Sequence, residues 1–233
     1  MDKDIILVID DDKEIADLVE IHLVSEGYRV RKANSASQGL QAMEKEEIKL
    51  IILDIMMPGM DGLTFCKDIR EISTIPIIML SARSTDLDKI IGLGTGADDY
   101  VTKPFNPLEM TARVKSQLRR FTTFNPGSHE GKREKEIVLQ HLIINRGNHM
   151  VTAYGKDVKL TPIEFDILYL LAANVGRVFS TDEIFERVWN EKMFEANNTV
   201  MVHIRRIREK IEMDSQNSKI IRTVWGVGYK IEK

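Results

Sequence analysis

Short apolar runs alternate with amphipathic stretches through the first half of the chain. Residues 5–9, 28–33, 49–53, 76–80 and 99–102 read as strands. Apolar runs of about four to eight residues bounded by turn signals mark strands buried on both faces. Between them Ile15, Leu18, Val19 and Leu23 share one helix face, and Leu63, Ile69 and Ile72 share another more loosely. A last helix near 107–120 closes on Arg119-Arg120, cations suited to a helix C-terminus. Strand–helix units in this succession predict an α/β fold, a five-stranded parallel doubly wound sheet with helices on both faces.

The periodicity stops at Thr122. Residues 122–135 are polar, carry Gly and Pro, and read as a flexible linker between units spanning 1–121 and 136–233. Beyond it the grammar is α+β. Residues 137–139 to 151–152 and Val158-Lys159-Leu160 suggest short antiparallel strands, with a turn at Tyr154-Gly155-Lys156-Asp157. Thr161-Pro162-Ile163-Glu164 is a sharp helix start: an N-cap, Pro at the first helical position and Glu to close a capping box. That helix turns Phe165, Leu168, Leu171 and Ala172 inward and stops near Gly176. Ser180-Thr181-Asp182-Glu183 opens a second helix, which carries Ile184, Phe185, Val188 and Trp189 inward. A third runs from about Ala196 to Glu212, and residues 220–231 form a hairpin pattern.

Candidate chemistry gathers at the strand ends. Asp10-Asp11-Asp12 follows the first strand, Asp54 the third, Ser81 the fourth and Lys103 the fifth. Open α/β sheets place ligands at that edge. Converging carboxylates repel one another unless a cation sits among them, and hard oxygen donors with few protein ligands suit Mg²⁺. Asp10, Asp11 and Asp54 are the candidate ligands. An Asp is also a competent nucleophile for an aspartyl-phosphate. Lys103 would then neutralise phosphoryl oxygens, and Ser81 would hydrogen-bond to them. Each residue taken singly has a plainer reading. An Asp after a strand commonly caps a helix, the role expected of Asp12.

In combination, residues 4 to about 121 resemble a response-regulator receiver domain. The matching stretches are Val8-Ile9-Asp10-Asp11-Asp12, residues 53–62 from Leu53-Asp54 to Asp61-Gly62, Leu80-Ser81-Ala82, and residues 96–105 from Gly96-Ala97-Asp98-Asp99-Tyr100 to Lys103-Pro104-Phe105. The resemblance implies a flavodoxin-like fold in which Asp54 takes a phosphoryl group from a cognate histidine kinase. It implies Mg²⁺ held by Asp10, Asp11, Asp54 and the Met56 backbone carbonyl. Ser81 would turn toward the phosphate, Tyr100 would swing inward behind it, and the Lys103–Pro104 bond would be cis.

The composition, 43% hydrophobic and 30% charged over 233 residues, is a soluble globular balance with room for two cores. No apolar run approaches the roughly 18–20 residues of a membrane span, and Met1-Asp2-Lys3-Asp4 is no signal peptide, so a cytoplasmic protein without membrane contact is expected. The single cysteine, Cys66, excludes an internal disulfide and reads as a small buried hydrophobe. Net charge is asymmetric. Residues 1–121 carry 16 Lys and Arg against 21 Asp and Glu, and the remainder carries 17 against 15. The clustering of the second set points to nucleic acid.

That cluster is the third helix of the second half. Val200, Ile204, Ile207 and Ile211 mark its buried stripe. Val202, Arg206 and Glu209 then fall opposite, flanked by Thr199, His203, Arg205 and Arg208, a mixture suited to a DNA major groove. With a helix pair before it and a hairpin after it, the pattern is a winged helix-turn-helix. Residues 136–233 resemble the DNA-binding domain of OmpR/PhoB-type regulators, through Leu160-Thr161-Pro162-Ile163-Glu164-Phe165, Val188-Trp189, residues 199–210 and Thr223-Val224-Trp225-Gly226-Val227-Gly228-Tyr229. The resemblance implies that Val202 and Arg206 face bases. It implies that Trp189, Asn198, Thr199, His203, Arg205, Arg208 and Thr223 hold phosphate or backbone. Trp225 departs from members that carry an Arg there and insert it into the minor groove; an indole brings no positive charge to phosphate, and packing is expected of it. Residues 14–20 and the ending 223–233 are similar to VanR-type regulators, which hints at cell-wall antibiotic resistance.

The same resemblance implies coupling by dimerisation. Lys89, Asp98, Asp99, Glu109, Arg113, Lys115 and Arg120 would cross-pair in a two-fold receiver dimer, Lys89 with Glu109 and the aspartates with Arg113, Lys115 or Arg120. The dimer would set two DNA-binding domains on tandem half-sites of promoter double-stranded DNA, with RNA polymerase as a further expected partner. Two alternatives stand beside this reading. One is an Asp-nucleophile phosphotransfer enzyme, against which stands the lack of a substrate-capping insertion. The other is a phosphate-independent DNA-binding regulator, against which stands the intact set Asp10, Asp11, Asp54, Ser81 and Lys103.

Overall fold

Strands form in the first unit because their apolar runs have no polar face to turn to water. The computed structural model describes residues 4–82, 86–123, 136–189, 198–214 and 220–232, with the backbone alone at 86–89 and 123. The chain divides into two units, 1–121 and 122–233. In the first, β1 (Ile5–Ile9), α1 (Lys13–Ser25), β2 (Arg29–Ala33), α2 (Ala36–Lys45), β3 (Ile48–Asp54), α3 (Gly62–Ile72), β4 (Ile77–Ser81), α4 (Asp86–Thr95), β5 (Asp99–Thr102) and α5 (Pro107–Thr123) alternate. All strand pairs are parallel, in the order β2-β1-β3-β4-β5. The predicted doubly wound sheet is what forms, with the strand order of flavodoxin-like folds.

Side chains alternate across this sheet. Ile6, Val8, Leu50, Ile52, Ile78, Leu80 and Val101 pack with α1 and α5 residues such as Val19, Leu23, Met110 and Val114 on one face. On the other, Ile9 lies under α2, where a Cβ on Gly39 would come 3.4 Å from Phe65 of α3. Caps set the helix starts. Asp12 accepts the N–H groups of Glu14 (2.9 Å) and Ile15 (3.3 Å), as its sequence position suggested, and Asp61 accepts that of Thr64 at 2.7 Å. Cys66 is fully buried. At the edge away from the acidic residues, Arg70 donates to the carbonyls of Gly96 (2.7 Å) and Ile75 (2.6 Å) and to Asp98 (2.6 Å).

The second unit holds β6 (Glu136–Leu139), β7 (Leu142–Asn145), β8 (Met150–Ala153) and β9 (Lys156–Asp157) as an antiparallel sheet. Then come α6 (Pro162–Ala172), α7 (Thr181–Trp189), α8 (Thr199–Ile211) and the hairpin β10 (Ile221–Val224) with β11 (Gly228–Ile231). Residues 158–160, expected as a strand, are not one. Val158 still donates to Val151 O at 2.9 Å, but the next residues lead into the Thr161 helix start. There the Thr161 N–H donates to the Glu164 carboxylate at 2.8 Å, the predicted reach of a capping box. α5 runs to Thr123, past the expected linker start, and 124–135 lie outside the described residues. The hairpin is pinned by an exchange of 2.9 Å bonds between Phe179 and Tyr229. That close approach demands glycine at 228: a Cβ would collide with Phe179 O and come 2.7 Å from its carbonyl carbon.

Gly62 is the corresponding pinch in the first unit. A Cβ there would collide with the Asp54 carbonyl oxygen and lie 2.9 Å from Ile55 Cα. Gly62→Ala is expected to destabilise the first unit by about 1–3 kcal/mol, the usual cost of overpacking. Both tryptophans lie in the second unit. Urea unfolding followed by circular dichroism should therefore shift while the tryptophan emission transition stays in place.

Candidate functional site

Four strand ends deliver the acidic pocket. Asp10 follows β1, Asp54 ends β3, Ser81 ends β4 and Lys103 follows β5. Ligand atoms of Asp10, Asp11 and Asp54 lie within 4.8 Å of one another. Asp10 and Asp54 are buried; Asp11 is exposed at the mouth. Lys103 Nζ sits 2.8 Å from Asp10 Oδ2 and 3.2 Å from Asp54 Oδ1. Burial pushes the Asp10 carboxyl above its usual range, against the pull of Lys103 and of the Asp12 N–H that donates to it at 3.0 Å. Asp54 Oδ1 accepts no hydrogen bond among the described residues.

Three carboxylates thus face one ammonium, and one buried oxygen keeps an open lone pair. A small hard dication fits that donor set. Ser81 is fully buried, and its carbonyl accepts the Lys103 N–H at 2.7 Å. The Lys103–Pro104 bond is cis, as expected. The half-buried Tyr100 ring lies against Gly92 of α4, where a Cβ would come within 3.0 Å of two ring carbons and of Met79 Sδ. Met56 follows two residues after Asp54 with its side chain exposed.

The charged face near α5 departs from expectation. Asp98 is fully buried and spoken for inside the chain, by Arg70 at 2.6 Å and the Ile77 N–H at 2.9 Å. Its carboxylate anchors the sheet rather than standing free for a second copy. Asp99 pairs with Arg113 at 2.9 Å, Arg113 also meets Glu109 at 2.9 Å, and Lys115 reaches Glu26 at 2.7 Å. Arg120 is buried, and the side chain of Lys89 lies outside the described residues.

The third helix of the second unit, α8, departs further. Its stripe Val200, Ile204, Ile207 and Ile211 is buried as predicted, but Thr199, Val202, His203 and Arg206 are buried too. The reason is that α8 rests on both α6 and α7, so more than one ridge closes. Arg206 is drawn to Glu164 Oε1 at 2.8 Å, and Lys210 reaches Glu164 Oε2 at 2.6 Å. His203 lies 5.5 Å from the ring of Trp189, itself buried and stacked on Phe185. Val202, Arg206, Thr199, His203 and Trp189 therefore do not stand on an open face.

What does is Met201, 50% exposed, with Arg205, whose side chain is 81% exposed and bonds Glu209 at 2.9 Å. Met201 was not foreseen; its i, i+4 spacing to Arg205 was the available signal. Asn198 precedes the helix at its N-cap position, without a side-chain cap bond. Arg208 ties the helix to the hairpin, donating to Ile221 O at 2.8 Å and Thr223 Oγ1 at 2.9 Å. Trp225, expected to pack, is exposed at the hairpin tip.

The family description "Response regulator receiver domain" matches residues 6–115, and "Transcriptional regulatory protein, C terminal" matches residues 155–231. The chain is 51% identical over 231 residues to "Regulatory protein VanR" of Enterococcus faecium, covering 99% of both chains. It is 49% identical over 228 residues to "Regulatory protein VanRc" of Enterococcus gallinarum, covering 98% of both. Among solved structures it is similar to the response regulator DrrB of Thermotoga maritima, an OmpR/PhoB homolog, with TM-score 0.52, 33% identity and full coverage of both chains.

Glu164 yields a stability test. Its burial favours the neutral acid, yet Arg206, Lys210 and the Thr161 N–H hold its pKa down, from 4.5 to about 2. A depressed folded value contributes stability that is fully present above the unfolded pKa and is lost as pH falls through the folded one, here on the order of 3 kcal/mol between pH 4.5 and 2. Glu164→Ala should destabilise the second unit by about 3–5 kcal/mol at neutral pH, because it removes the carboxylate that faces the buried Arg206 guanidinium and Lys210. Tryptophan-detected unfolding should also lose its acid slope in that window.

Proposed function

The chain belongs to the response-regulator family, a receiver domain followed by an OmpR/PhoB-type DNA-binding domain, and we propose that phosphorylation of Asp54 controls its binding to promoter DNA. The observation that carries this is the convergence of Asp10, Asp11 and Asp54 within 4.8 Å, with Lys103 3.2 Å from Asp54. Asp54 Oδ1 attacks the phosphorus of a phosphohistidine on the partner kinase. The P–O bond forms as the P–N bond breaks, and the imidazole nitrogen leaves with the electron pair. Asp10, Asp11, Asp54 and the Met56 carbonyl would hold Mg²⁺, which would supply charge neutralisation for the phosphoryl oxygens. Lys103, already between Asp10 and Asp54, follows the new charge of about −1.5 to −2. Ser81 turns its hydroxyl to the same group, and Tyr100 moves into the space behind it.

The α4–β5–α5 face then forms a two-fold contact. There Arg113 exchanges its partners Asp99 and Glu109 for those of a second copy, and Lys89 and Lys115 complete the contact, while the buried Arg120 stays inside the receiver. A linker after α5 lets the paired receivers set two DNA-binding units on tandem half-sites. The reading surface on α8 is the strip of Met201 and Arg205, with Asn198, Arg208 and Thr223 toward phosphate. Arg206 reaches bases only by leaving Glu164. The protein works in the cytoplasm with RNA polymerase as a downstream partner. Similarity to regulators named VanR supports a role in controlling vancomycin-type resistance genes.

Genomic fragments retained by the purified protein test this, with and without acetyl phosphate and Mg²⁺. A few promoters with paired half-sites should be enriched, more strongly with phosphate, for wild type and not for Asp54→Asn. Equal enrichment in all samples would leave a DNA-binding protein without phosphate control.

A further inference from the structure

Arg206 must leave Glu164 to reach a base, and Glu164 cannot follow it. The carboxylate is fully buried in the first turn of α6. A buried carboxylate stripped of its only cation is costly enough to oppose that release. Glu164 has a second cation. Lys210 stands one turn after Arg206 on α8, in the last turn of that helix, and reaches Glu164 Oε2 at 2.6 Å. The α6 N-terminus itself also favours negative charge at this position.

The two cations hold the carboxylate differently. Lys210 Nζ donates a hydrogen bond to Oε2, the oxygen that also accepts the Thr161 N–H at 2.8 Å. Arg206 Nη2 lies 2.8 Å from Oε1, yet Oε1 accepts no hydrogen bond among the described residues. The hold of Arg206 is therefore charge without alignment, and the guanidinium is the partner more easily given up. Its neighbour Arg205 is exposed, and the long Arg206 stem can carry its head group from beneath α8 toward that side.

We propose that Lys210 is the standing counter-ion that lets Arg206 exchange Glu164 for a base of duplex DNA. The lysine keeps the buried carboxylate paired while the guanidinium is outside. This rests on the DNA-binding reading above and gives it an order: in the free protein recognition rests with Met201 and Arg205, and Arg206 joins them once the duplex is engaged. Lys210 is a positioning residue, acting on DNA only through Glu164 and Arg206.

The test uses the full-length protein and a duplex it selects from a randomised pool, each base pair of the half-site then being varied in turn. Arg206→Ala, in which Lys210 still pairs Glu164, should bind more weakly and lose base preference at one position per half-site. Lys210→Met removes the second charge but leaves Arg206 facing Glu164, so it should fold. It should bind about tenfold more weakly, within the usual coupling between members of one network, and lose preference at that same position with its salt dependence unchanged. Lys210→Gln should behave alike, and Lys210→Arg should restore both affinity and preference. In a Glu164→Gln background, with no carboxylate left to hold, Lys210→Met should change affinity by less than about twofold. Circular dichroism at the binding temperature checks folding, and the base-preference comparison stands without the Glu164→Gln background. Equal weakening of Lys210→Met on every sequence, with a salt slope reduced by about one, would make Lys210 a phosphate contact and overturn the exchange. So would wild-type affinity and preference in Lys210→Met, or unaltered preference in Arg206→Ala. In all three cases the DNA-binding reading stands. A wild type that retains no duplex would overturn that reading itself.

Discussion

Three carboxylates, two of them buried, and one ammonium meet at the end of a parallel sheet, and that imbalance governs the first unit. Asp10 and Asp54 are buried, and Lys103 alone among the described residues pairs with them. Unpaired charge in such a place is costly, and the fold tolerates it because the surrounding backbone leaves little room to relax. Gly62 presses against the Asp54 carbonyl, Asp12 caps α1 while donating its N–H to Asp10, and Ser81 O fixes the backbone of Lys103. A dication would relieve the deficit, and a phosphoryl group on Asp54 would reverse the balance around Lys103. A pocket poised between charge states is a natural place for a switch.

A buried carboxylate organises the second unit in a different way. Glu164 caps the start of α6 through Thr161 and holds α8 through Arg206 and Lys210. One side chain therefore fixes both the first helix and the angle at which the last presents Met201 and Arg205. Because Arg206 is committed to this ion pair, outward recognition falls on residues at the margin of α8 and on the hairpin that Arg208 ties to it.

The receiver fold and its pocket were legible because each key residue closes an apolar run. A strand period and a turn signal sufficed to bring Asp10, Asp54, Ser81 and Lys103 to one edge. Residues whose roles depend on remote partners were not legible. Asp98 and Asp99 are adjacent, yet one answers Arg70 and Ile77 and the other Arg113, and nothing local says which turns inward. The face of α8 was misjudged because a helical stripe assumes one partner, whereas α8 has two, α6 and α7. Trp225 was expected to pack because an indole brings no positive charge to phosphate; the hairpin places it where no described surface covers it.

The claim that this charge-deficient pocket is a cation-dependent phosphoryl acceptor has a direct readout in intact mass. The purified protein would be incubated with acetyl phosphate in Mg²⁺ or in chelator, beside Asp54→Asn. A single phosphoryl adduct in wild type with Mg²⁺, absent in chelator and absent in the variant, is the predicted result. An adduct of equal yield in Asp54→Asn, or one indifferent to Mg²⁺, would contradict it.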